Sequence, residues 1–172
     1  MMQHEVITQF EIVSSELLSL LTPLKQDQLN KKPFDGSWSA GQIGEHLSKS
    51  YGVVETLNGK VRAIEKNSIR RADQKVASVK SLFLNFDIKM SSPKAILPSK
   101  KTIDRKVLLR GLRNRISELI TVAKYKDLMV VCSDYSIPEY GEFTRLEWMW
   151  FNVFHTKRHI HQLEQIIKKI AV

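Results

Sequence analysis

The chain is almost without cysteine: Cys132 is the single thiol in 172 residues. One cysteine excludes an intrachain disulfide and a cysteine-based zinc cluster. It lacks a neighbouring histidine or a helix start, so an inert, partly buried thiol is expected rather than a nucleophile. Long apolar runs are missing too. The stretch from Phe10 to Leu24 is interrupted by Ser14, Ser15, Glu16 and Ser19, so no membrane span is expected. The opening Met-Met-Gln-His-Glu has no basic region followed by an apolar one. No signal peptide is therefore expected, and the cytoplasm is the expected location. Strand-like alternation is scarce, and no internal repeat is visible. The zinc-protease motif H-E-x-x-H is absent, because Thr156 stands where its general-base glutamate would be, which argues against a peptidase.

What is present suits one soluble globular domain spanning 1–172. Hydrophobic residues make up 42% and charged residues 26%, an ordinary balance for a packed core with a solvated surface. The net charge of +9 is concentrated between Lys60 and Arg115, with Arg70-Arg71, Lys100-Lys101, Arg105-Lys106 and the run from Arg110 to Arg115. Zinc-finger spacing, aromatic ribonucleoprotein motifs and Gly-turned paired helices are all missing. A solvated basic face is expected there rather than nucleic-acid binding.

Apolar residues at helical spacing (Val6, Ile7, Phe10, Val13, Leu17, Leu20, Leu21) predict a first helix over about Gln3 to Leu21. Thr22-Pro23 ends it and opens a short turn through Leu29, followed by a connector from Lys31 to Asp35. Ser39 and Gln42 form a capping box, with Trp38 and Ile43 as its hydrophobic staple. The helix they start is predicted to run through His46 and Tyr51 to about Ile64. Ala72 to Leu84 could hold some helix before Ser91-Ser92-Pro93 and Leu97-Pro98-Ser99 break it. A third long helix fits Asp104 to Ala123. Asp127 to Glu142 reads as a connector. Thr144 and Glu147 repeat the capping box, with Phe143 and Trp148 as the staple, and start a helix running to about Lys169. The predicted fold class is all-α, a four-helix bundle.

Three histidines carry the chemical signal. His155 and His159 stand four apart on the last helix, so their side chains project from one face. Two imidazoles so placed can grip one metal ion, and His46 from a packed neighbour can complete a three-nitrogen site. Such a site keeps an open position for water or substrate, the pattern of a catalytic metal. The plainer alternative is two polar helix residues, one facing solvent. His161 lies two positions from His159 and is expected to be exposed, and His4 has no matching context. Gln162, one turn past His159, could orient that ring or be an ordinary polar bundle position. Tyr51 could line the pocket mouth or pack in the core. Neither Glu45 nor the cap residue Glu147 is expected to be catalytic.

The stretch from Gly141 to Met149, followed by His155-Thr156-Lys157-Arg158-His159 and Gln162-Leu163, resembles the C-terminal signature of the DinB-like metal-binding four-helix-bundle family. Trp38-Ser39-Ala40-Gly41-Gln42-Ile43-Gly44-Glu45-His46-Leu47 resembles its second-helix signature. The resemblance implies an up-down bundle with a long crossover connection and a metal held by His46, His155 and His159. It also implies thiol-dependent S-transferase or isomerase chemistry with a low-molecular-weight thiol, and a homodimer. The metal expected is Zn²⁺ or Ni²⁺, since imidazole suits both. Metal-dependent hydrolysis and a non-catalytic metal-binding or ligand-binding bundle stay open beside the transferase reading, because fold does not establish function.

Overall fold

The computed structural model describes residues 2–170. Four long helices carry the fold. Helix α1 (Met2–Leu21) leads through a short α2 (Gln26–Asn30) to α3 (Ala40–Ser50), while α6 (Arg105–Tyr125) and α7 (Arg145–Ile170) complete the set. Two shorter helices lie between them, α4 (Val54–Asn58) and α5 (Val76–Leu84). Helices α1 and α3 each pack against both α6 and α7 and touch each other little. Chain neighbours α1 and α3 therefore lie across the diagonal of the bundle, as do α6 and α7. The core between them is aliphatic and aromatic, with Phe10, Leu17, Leu47, Leu112, Leu119 and Leu163 fully buried.

The helix starts follow from local chemistry. The Ser39 hydroxyl accepts from Gln42 N at 3.2 Å, and Ser39 N donates to Gln42 Oε1 at 3.1 Å. Thr144 and Glu147 make the same reciprocal pair at 3.0 and 2.9 Å. Asp104 caps α6 by accepting from Val107 N at 2.9 Å. Each device satisfies donors that a helix start leaves orphaned. Gly44 lets α3 approach α6 closely: a Cβ there would come within 3.0 Å of Leu108 Cδ2.

Two expectations are corrected. The helix begun at Ser39 does not reach Ile64. It ends at Ser50, tightens into a 3₁₀ turn over Tyr51–Val53, resumes as α4 and stops at Gly59. A Cβ on Gly59 would meet Asp134 Oδ2 at 2.0 Å, and Asp134 also accepts from Lys60 N at 2.6 Å. The chain is thus turned out of the helix by a tertiary contact. The fold is also not purely helical. A three-stranded antiparallel sheet, ordered β1-β2-β3, forms from β1 (Val61–Arg62), β2 (Val131–Ile137) and β3 (Gly141–Thr144). Most of the predicted connector from Asp127 to Glu142 is therefore a hairpin, irregular between Val131 and Ser136. Glu139 and Gly141 adopt positive φ at its turn.

These elements frame the histidine site. Helix α5 packs along α7, burying Val79 and Phe83. The segment after it, 85–99, is tied down by polar contacts. Arg158, itself buried, donates to the carbonyls of Phe83 (3.2 Å), Asn85 (2.8 Å) and Ile88. Further along, Leu97 O accepts from Lys49 Nζ, and Ser99 bonds both Glu45 and Gln42.

Candidate metal centre

His46 projects from α3, and His155 and His159 project from α7. All three are buried. Their Nε2 atoms converge: His155 Nε2 lies 3.1 Å from His46 Nε2 and 2.9 Å from His159 Nε2. The three rings meet edge to face, with centroids 4.6–5.0 Å apart. Each outward-facing nitrogen has its own partner. His46 Nδ1 donates to Ile96 O at 2.8 Å, His155 Nδ1 meets Ser50 Oγ at 3.1 Å, and His159 Nδ1 donates to Gln162 Oε1 at 2.7 Å.

Those partners fix the tautomers. A carbonyl oxygen only accepts, so His46 carries its proton on Nδ1 and presents a bare lone pair at Nε2. His159 does likewise against the Gln162 amide oxygen. Two lone pairs thus face His155 Nε2, which can offer at most one hydrogen to them. The donor set is left short of positive charge at its centre, and one cation resolves it. Tetrahedral ligands at zinc–imidazole bond lengths stand about 3.3 Å apart, so the observed spacings need to open by only a few tenths of an ångström. The residues present therefore fit a divalent metal. Burial depresses the basicity of all three rings. It lowers the His46 pKa, pushes His159 down to about 3 and holds His155 well below its ordinary value. Neighbouring imidazoles add to the effect on His155 and His159. Neutral imidazole is the form that binds a metal.

A model of the DinB superfamily matches residues 9–163. The chain belongs to the DinB superfamily. It is similar to the uncharacterized protein YuaE of Bacillus subtilis (strain 168), 26% identical over 154 residues, covering 87% of this chain and 90% of that protein. Among solved structures it is similar to YfiT from Bacillus subtilis, described as a probable metal-dependent hydrolase with an unusual four-helix bundle topology. That likeness has a TM-score of 0.60 at 18% identity and covers 98% of this chain and 87% of the other. It shows a shared fold, and in this DinB-superfamily chain the fold brings three histidines from two helices to one point.

A cavity of about 1150 Å³ opens onto the centre. Trp38 covers one side, its ring 5.1 Å from that of His46 and stacked at 6.5 Å over His159. Phe83 and Phe151 flank His155 at 5.2 and 5.5 Å. Among the described residues, Glu55 is the single carboxylate lining this space, and it is exposed and paired with Arg115 at 3.3 Å. Lys49, Lys89, Lys169 and Arg158 also line it. Glu45 and Glu147 are committed elsewhere. Glu45 pairs with Lys49 at 3.3 Å, while buried Glu147 accepts from Arg70, Lys75 N and Thr144 N.

Tyr51 takes the core reading of its two alternatives, and His161 departs from its expected exposure. Tyr51 faces the core, not the cavity. It is fully buried and shares a 2.7 Å hydrogen bond with Thr156 Oγ1. Burial raises its pKa. Ser50, one position earlier, is the residue that reaches His155. It stands four after His46, so the spacing that puts it on the histidine face was present in the sequence. His161 is half-buried rather than exposed, stacked on Phe86 at 4.2 Å and lining the cavity. Cys132 is fully buried, and burial pushes its pKa up to about 11. No helix among the described residues is long and apolar enough to cross a membrane.

Proposed function

We propose that this chain is a metal-dependent enzyme that transfers a low-molecular-weight thiol onto a carbon electrophile. The observation that carries the reading is the histidine centre at the wall of a cavity that bears several cations and, among the described residues, one carboxylate, itself paired with Arg115. His46, His155 and His159 would hold a divalent ion such as Zn²⁺ or Ni²⁺, which when bound supplies a Lewis acid that lowers the pKa of a thiol or water beside it. Ser50, Gln162 and the Ile96 carbonyl hold the three rings in register. Trp38, Phe83 and Phe151 exclude water and strengthen every electrostatic interaction nearby. Lys89 and Lys169 attract the carboxylates that small cellular thiols carry. In the transfer the thiol gives its proton to solvent, its sulfur bonds to carbon, and the leaving group departs with the electrons of the bond that breaks.

Metal-assisted hydrolysis is the second reading, supported by the fold shared with YfiT. The one carboxylate among the described lining residues, Glu55, is exposed and paired with Arg115, and this ranks hydrolysis lower. The test is turnover by zinc- or nickel-loaded protein of an aryl halide with and without a panel of small thiols, beside a p-nitrophenyl ester without thiol. Thiol-dependent loss of the halide supports the proposal. Ester cleavage alone moves the assignment to a hydrolase, and no turnover in any pairing leaves a metal-binding or ligand-binding bundle.

A further inference from the structure

The cavity runs along α7 from Trp148 to Lys169, a distance of about 30 Å at the rise of an α-helix. The histidines stand part-way along it. Trp148 lies about 10 Å before His155, and Lys169 lies about 15 Å beyond His159.

The two ends differ in chemistry. Toward Trp148 the helix offers Phe151 and Trp148, and Phe83 from α5 packs edge-on against Phe151 at 4.9 Å. Strand β2 closes this end with Tyr135 and Ile137, the Tyr135 ring standing 6.0 Å from that of Trp148. No lysine or arginine comes from residues 148–155 of α7 into this half; α4, which packs on β2, brings Glu55 to its rim, where Arg115 pairs with it at 3.3 Å. Toward Lys169 the same helix offers Gln162, Gln165 and Lys169 beside a single aliphatic side chain, Ile166, with Lys169 Nζ 4.8 Å over the exposed ring of Phe34. One half is thus a slot that gains by covering apolar surface, and the other is a polar, cationic one. A reaction joining two molecules at the histidines needs room for both, and the cavity extends to either side of them.

The geometry points to a two-armed cleft: the arm from His155 to Trp148 binds the body of an uncharged aromatic or long apolar electrophile, and the Lys169 arm takes the anionic partner. This assignment rests on the transferase reading for its chemistry, but the apolar arm is testable without metal or turnover. The probe is N-phenyl-1-naphthylamine, an uncharged aromatic dye that brightens in apolar surroundings. It is titrated into the metal-free protein and two variants, Tyr135→Glu and Lys169→Glu, each first checked for native circular dichroism and thermal unfolding. Both residues are exposed, Tyr135 by 50%, so either change leaves the core intact.

The expected result is saturable binding to the wild type, weakened tenfold or more by Tyr135→Glu and less than twofold by Lys169→Glu. Absence of binding overturns the inference, and so does equal weakening by both variants or weakening by Lys169→Glu alone. Dye binding with the expected pattern, in a protein that turns over no thiol when loaded, would sustain the apolar arm and remove the transferase reading. In an active preparation, Tyr135→Glu should raise KM for the electrophile alone, and Lys169→Glu should raise KM for the thiol alone.

Discussion

Ser50 and Tyr51 are neighbours in sequence whose side chains serve different parts of the molecule, and replacing each in turn separates ring orientation from core packing. Ser50 Oγ is the partner of His155 Nδ1, at 3.1 Å in a buried setting. Ser50→Ala removes that partner and leaves a buried ring nitrogen unpaired, at a cost of about 1–3 kcal/mol to the metal-free protein. Loss of an orienting contact behind a metal-binding histidine lowers metal affinity by about 10–100-fold. Tyr51→Phe removes a hydroxyl bonded to Thr156 Oγ1, away from the histidines. It should cost about 1 kcal/mol of stability and leave metal affinity within about twofold. Zinc affinity is read by competition with a chromophoric chelator, and stability by urea unfolding in the presence of a strong chelator. If Ser50→Ala binds zinc within threefold of wild type, or if Tyr51→Phe weakens it as much, the orienting role assigned to Ser50 is wrong.

Acid should destabilise the metal-free protein through its histidines. Their folded-state pKa values are depressed, so their contribution is full above the unfolded value of about 6.5 and is lost as pH falls toward the folded values, about 3 for His159. The His155→Ala/His159→Ala variant should lose stability less steeply over that window, by up to about 2.7 kcal/mol per pH unit, as read from urea unfolding between pH 6.5 and 4.5. Arg158→Met should free the segment after α5 by removing charge-assisted bonds to three carbonyls, about 1.5–3 kcal/mol each. Limited proteolysis within 85–92 should speed up at least about tenfold, and unchanged cleavage would refute the clamp. Glu147→Ala should destabilise by about 3–5 kcal/mol, because it strands the partly buried Arg70 guanidinium and two backbone donors. A loss below about 1 kcal/mol on urea unfolding would contradict that account.

The parts of the fold legible in the sequence are those written in local chemistry. Capping boxes at Ser39 and Thr144 placed two helix starts, and helical spacing of apolar residues placed α1, α6 and α7. The four-residue spacing of His155 and His159 put two ring nitrogens on one face. What stayed hidden depends on partners distant in the chain. Position 59 needs glycine because Asp134, far along the chain, occupies the space a side chain would take, and the same carboxylate accepts from Lys60 N as the chain leaves α4. Strand β2 is exposed over Ser133–Ser136 and lacks alternation, so its pattern matches a polar connector. The 85–99 segment has no periodicity and owes its course to Arg158, Lys49 and Glu45. That course sets Ile96 O against His46 and Phe86 against His161, which is why neither contact could be read from spacing.

The most direct test of the central claim is metal content per chain by inductively coupled plasma mass spectrometry. It should be measured on gently purified wild type and the His155→Ala/His159→Ala variant, each also after incubation with Zn²⁺ and Ni²⁺ and desalting. The account predicts about one bound metal per wild-type chain and close to none in the variant. Wild-type protein that holds no metal under either loading condition, or a variant that holds as much as wild type, would contradict it.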